Sequence, residues 1–319
     1  MRVKTRTLAR PIHHGAHREH GERPNSDCDL HPVASFLMYV LRAEFTPGII
    51  LALGLAVGAF APRLHAGEGP AQAPPDKTEE KPAQQSKAPL SAREKARLEV
   101  LEAGKVREFP PMSWESAIKR ETQHYHIETN TSEMTAKYIQ LLMEQLFSFY
   151  SQRMGKAPAK RMNVFVFANR RDFVEQAAKA GAVVGGGVAG FYLICADNRK
   201  CGLYVPFVMQ GDLDPTSVLM HEGFHQFYHT LFVHTDPIWL NEGMAVYFEN
   251  SRFDGENLSD AYVSPRRLKP LQEAMKAGRC DSLTQLLSRP KGAFGVLQYE
   301  EAWSFVYWLA WGAETKAKN

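Results

Sequence analysis

No stretch of this 319-residue chain reaches the roughly 18–20 consecutive apolar residues that a membrane-spanning helix needs. The apolar run at residues 49–61 (IILALGLAVGAFA) stops at 13. Cysteine is scarce. The four present, at positions 28, 195, 201 and 280, form no C-x-x-C pair, which argues against a zinc knuckle. A charge excess is missing as well. The formal net charge is +3, but residues 1–66 hold eight Lys/Arg and five Asp/Glu; taking these from the totals of 38 and 35 leaves 30 of each. A neutral remainder gives no electrostatic warrant for a nucleic-acid partner. The glycine-rich segment 181–190 (GAVVGGGVAG) follows no strand, so a phosphate-binding turn is not expected there.

What is present divides the chain into three. The 13-residue run lies after Arg42 and before Leu64-His65-Ala66, the arrangement of a signal-peptide apolar core, with Met38 the more natural start of such a leader. Residues 1–66 are therefore read as a targeting segment of an exported protein. Left uncleaved, the same run would anchor the chain at the membrane. Residues 67–95 are rich in Pro, Ala, Gln, Lys and Glu and cannot bury a core, which marks a disordered spacer. Residues 96–319 form the expected folded domain.

Within that domain the first half mixes periods. Residues 125–129 and 162–168 read as strands, and a helix from Asn130 or Ser132 carries Tyr138, Leu141, Leu142, Leu146, Phe149 and Tyr150 at helical spacing, with Gly155 beyond its end. A second helix is expected over 170–179, then a hairpin from 191–194 and 203–207. Cys195 and Cys201 flank its turn and could pair in an oxidising compartment. The second half reads as helical, over 215–232, from Asp236-Pro237 onward, over 268–277 and 283–287, and over 298–311. The fold class expected is α+β.

The second half is organised around His221-Glu222-Gly223-Phe224-His225, an H-E-x-x-H spacing. At about 100° per residue, two such histidines fall within roughly 40° of each other, one helical turn apart and close enough to hold one ion. Asp214 as N-cap, Pro215 at the first helical position, and Val218, Leu219, Phe224, Phe227 and Leu231 supply a helical frame. Glu222 lies beside the histidine face, where it could reach a water on the ion without ligating it. A catalytic zinc normally takes three protein ligands and keeps one position open, so a third is needed. The pattern H-E-x-x-H-x-x-G-x-x-H fails, because Tyr228 and Leu231 occupy its glycine and last histidine. His229 falls roughly 80° round the helix, and His234 and Asp236 sit in a turn. These two are possible ligands, but Glu242 is the better candidate: it opens a new capped helix that the intervening turn would let pack beside the first, and a His221, His225 and Glu242 set suits one zinc per chain.

HEGFH followed by WLNEGMAVYFE resembles the gluzincin metallopeptidases, in which H-E-x-x-H precedes an N-E-G-x-A helix. That resemblance implies a zincin-like fold: a small mixed sheet with a hairpin in the N-terminal half packed on the H-E-x-x-H helix, and a helical C-terminal half. It implies zinc on His221, His225 and Glu242, Glu222 as general base, and a peptide or protein substrate. Sixteen residues separate His225 from Glu242, where the aminopeptidase branch has eighteen, and no G-x-M-E-N-like strand precedes the metal helix. Tyr299-Glu300-Glu301-Ala302-Trp303 resembles the Y-E-K-G helix start of that branch, which implies an oxyanion-binding role for Tyr299. Arg171-Asp172-Phe173, Ala189-Gly190-Phe191-Tyr192 and the last helix are similar to a family of exported bacterial domains, DUF1570, across roughly residues 114–311. The competing expectation is a catalytically inactive zincin fold that binds a partner at the cell surface.

Overall fold

The computed structural model describes residues 90–194, 199–232, 237–259 and 262–316, with side chains as far as 310. The expected targeting segment, most of the spacer, Cys28, Cys195, His234 and Asp236 lie outside the described residues. Among those described, no helix is long and apolar enough to cross a membrane.

Helix α1 (Ala92–Ala103) opens earlier than the composition implies, inside the stretch read as spacer. The cause is local. Ser91 caps it by accepting the Glu94 N–H, while the Glu94 carboxylate accepts the Ser91 N–H at 2.8 Å, a reciprocal capping box that composition averages out. Strand β1 (Ile118–Glu121) was not expected. Its sequence, IKRE, is the charged pattern of an exposed sheet edge and carries no alternating apolar signal. Strand β2 (Tyr125–Thr129) and helix α2 (Glu133–Met154) follow, the helix capped by Ser132 and closed by Gly155 at φ 62. Strand β3 (Met162–Phe167), helix α3 (Arg170–Lys179), strand β4 (Phe191–Leu193) and strand β5 (Gly202–Pro206) complete the first half.

Five strands form one mixed sheet in the order β1-β2-β3-β5-β4. The two outer pairs are antiparallel and the two inner pairs parallel, so β4 is an edge and the expected hairpin with β5 forms. The alternation in β3 explains why both faces of the sheet centre are buried. Val164 and Val166 point to the larger core with α2, whereas Phe165 and Phe167 face Phe173 of α3 and Phe191 of β4. Cys201 is disulfide-bonded, and Cys280 is a free thiol.

The second half comprises α4 (Pro215–Leu231), α5 (Ile238–Glu249), a two-stranded ribbon of β6 (Arg252–Phe253) and β7 (Leu258–Ser259), α6 (Pro265–Lys276), α7 (Leu283–Ser288) and α8 (Val296–Lys316). Pro237 occupies the N-cap of α5 rather than its first helical position, with no side-chain cap bond. Helix α4 lies between the two halves. Gly190 lets it approach β5, since a Cβ there would meet Val218 at 2.6 Å and Val205 at 3.1 Å. On another side Tyr150 of α2 donates a hydrogen bond to the Met220 carbonyl at 2.6 Å and packs edge-on against Phe224 and Phe227. The architecture is α+β, a five-stranded mixed sheet with eight α-helices among the described residues.

Candidate metal centre

Asp214 accepts the Thr216 N–H at 2.7 Å and starts α4, and Pro215 needs no partner in the first turn. Once the helix forms, its apolar residues fix its rotation. Phe224 and Phe227 are fully buried against α2, which leaves His221 and His225 on the side facing α5 and turns Glu222 toward the Tyr192 backbone of β4. Helix α5 is buried along most of its length, and Phe248 packs on Phe224 with ring centroids 5.0 Å apart. Glu242 is 1% exposed. A carboxylate so deeply buried costs several kcal/mol unless charge or hydrogen bonds compensate.

His221, His225 and Glu242 supply the compensation. His225 Nε2 stands 3.2 Å from His221 Nε2; Glu242 Oε2 stands 3.5 Å from His221 Nε2 and 3.4 Å from His225 Nε2. Donor atoms about 2.0–2.1 Å from a tetrahedral zinc would be about 3.3–3.4 Å apart. The three atoms therefore match one face of such a tetrahedron with little adjustment, a group that could hold a metal ion.

The electrostatics agree with a site built for a cation. Burial lowers both imidazole pKa values, but at His221 hydrogen bonds to Glu242 and Glu249 outweigh it and the group is raised; at His225 burial prevails. The carboxylates thus draw a proton onto His221 that a divalent cation would displace. Glu222 is pushed up to about 8 by burial first. The nearby His221 opposes this, the Glu242 carboxylate adds to it, and a hydrogen bond from the Tyr192 backbone lowers it again. Tyr299, partly buried at the start of α8, is raised by burial and then by the Glu242 and Glu222 carboxylates, so it stands within electrostatic reach of both. The structure brings His221, His225 and Glu242 together, with Glu222 and Tyr299 within electrostatic reach of Glu242.

His229 lies apart from the donor set, its Nδ1 3.4 Å from the Tyr192 hydroxyl. The sequence reading missed Glu249, whose Oε2 accepts from His221 Nδ1–H at 3.1 Å. A signal existed, because Glu249 follows Glu242 by two helical turns and so shares its face. This hydrogen bond holds a proton on Nδ1 and turns Nε2 toward the other donors, where its lone pair is freed once a cation displaces the second proton. Arg267 and Glu300 complete the surround, joined at 2.8 Å, with Arg267 also 2.5 Å from Glu249. Nothing local in the sequence links them to the motif.

No curated protein and no solved structure matches the chain. Residues 216–317, from the first turn of α4 to just past α8, match the family model described as a protein of unknown function, DUF1570.

Proposed function

We propose that this protein is an exported zinc-dependent peptidase with a zincin-like fold of gluzincin type, its zinc held by His221, His225 and Glu242. The observation that carries the reading is the trio of donor separations, 3.2, 3.4 and 3.5 Å, in a buried set with two imidazoles and one carboxylate. Zinc held there supplies Lewis acidity: it acidifies a water molecule toward a pKa of about 7 and polarises the carbonyl under attack.

The chain's own groups do the rest. Glu222 takes the proton from the attacking water and delivers it to the leaving amine, a role worth roughly 10²–10⁴ in rate. Its position beside His221 and Glu242, and an ionisation near neutrality, support that role. Tyr299 donates a hydrogen bond to the developing oxyanion, and its raised pKa keeps the hydroxyl protonated as a donor. An extended peptide can pair along β4, whose Tyr192 backbone reaches Glu222.

The test is metal analysis and peptide-library cleavage on the purified protein beside Glu222→Gln. One zinc per chain in both proteins is expected, with cleavage only by the parent and a loss of at least about 100-fold in the variant. Stoichiometric zinc without cleavage by either would sink the enzyme and leave a zinc-containing binding domain. Absence of bound metal would remove both.

A further inference from the structure

We propose that Arg267 is a positioning residue of this centre: its guanidinium holds the Glu249 carboxylate against His221 Nδ1 and grips Glu300, the neighbour of Tyr299. One side chain thereby orients a metal ligand and the start of the helix that carries the oxyanion donor. The inference rests on the metal reading of His221, His225 and Glu242.

Three helices meet at this side chain. Glu249 is the last residue of α5, Arg267 lies in the first turn of α6, and Glu300 follows Tyr299 on α8. Separate guanidinium nitrogens reach the two carboxylates, at 2.5 Å for Glu249 and 2.8 Å for Glu300, and all three side chains are only 11–16% exposed. The other oxygen of Glu249 accepts from His221 Nδ1 at 3.1 Å. The planar fork of arginine suits such a double grip, which a lysine ammonium, a single point of charge, reproduces poorly. Without Arg267, the buried Glu249 and Glu300 carboxylates would face each other uncompensated, and repulsion would swing one away. That movement loosens the acceptor that orients the His221 ring. The same loss releases the first turn of α8 beside Tyr299.

The experiment measures zinc affinity of the 319-residue chain by competition with a chromophoric chelator. The proteins are the parent, Arg267→Met, Arg267→Lys, Glu249→Gln and the double variant Glu249→Gln/Arg267→Met. Arg267→Met should weaken zinc binding about 10–100-fold, the loss typical of removing support behind a metal-ligating histidine. Arg267→Lys should recover part of it. In the Glu249→Gln background, Arg267→Met should add less than about threefold, because both act through one hydrogen bond. Additive losses, or parental affinity in Arg267→Met, would overturn the proposal. If Arg267→Met does not fold, parental affinity in Arg267→Lys overturns it instead, and a partial loss there supports it. A parent that takes up no zinc defeats the metal reading and this inference with it; a parent that binds zinc alongside equally tight variants defeats this inference alone.

Discussion

At the scale of single residues, Gly243 sets how close the helices of the centre can come. A Cβ there would meet the Ala302 carbonyl oxygen at 2.7 Å and Val306 Cγ2 at 2.8 Å, so α5 and α8 cross with backbone nearly touching side by side. Alanine would contribute about 1 kcal/mol of helix propensity. The overpacking it causes costs about 1–3 kcal/mol and is the larger effect, because backbone cannot rotate out of the way. Gly243→Ala should therefore lower stability by up to about 2 kcal/mol in urea unfolding, with an unchanged m-value. Stability equal to the parent would mean that α8 gives way easily. The same residue shows what a sequence displays and what it withholds. Glu242 was legible through its neighbours in WLNEG and its distance from HEGFH. The approach of Ala302 that makes Gly243 necessary depends on a helix some sixty residues later. Glu249 sits between these cases, readable by helical period but selected only once His221 Nδ1 is seen to need an acceptor.

At the scale of elements, helices with local start and stop signals were legible and charged edges were not. Helix α2 begins after Ser132 and ends at Gly155 as its caps dictate, and α3 spans the expected residues 170–179. Strand β1 escaped because only pairing with β2 makes IKRE extended. Helix α4 shows how much a cap carries. Asp214 Oδ1 accepts from Thr216 N–H, and Oδ2 meets Arg107 at 2.7 Å, on a side chain 44% exposed. The cap is worth about 1 kcal/mol, and so exposed an ion pair adds at most about 1 kcal/mol. Asp214→Ala should cost about 1–2 kcal/mol while zinc stoichiometry holds, since HEGFH begins nearly two turns further along. Asp214→Asn keeps the capping oxygen and should lose distinctly less. Equal losses in the two variants would show that the ion pair, not the cap, starts the helix.

At the scale of the whole molecule, the two halves divide the labour. The sheet half gives α4 a rigid seat through Tyr150, Gly190 and Val205 and lays the β4 edge beside Glu222. The helical half supplies every candidate donor, two imidazoles on α4 and one carboxylate on α5, in a buried set that a shared cation would tie together. A cation bound only by the folded chain must therefore stabilise the fold. At a free concentration 1,000 times the dissociation constant, that linkage is about 4 kcal/mol, which for a chain of this size raises Tm by roughly 8–16 °C. Zinc added to the chelator-treated protein should produce such a rise in a thermal scan. Glu242→Gln removes the anionic donor and should abolish most of the shift, whereas Glu222→Gln, which leaves all three donors in place, should retain it. Equal shifts in Glu242→Gln and the parent would place the responsive site elsewhere. An unresponsive parent would mean that the 3.2–3.5 Å spacing of the donors reflects a shared proton alone. The three proteins together thus separate metal binding from catalysis without requiring that the substrate be known.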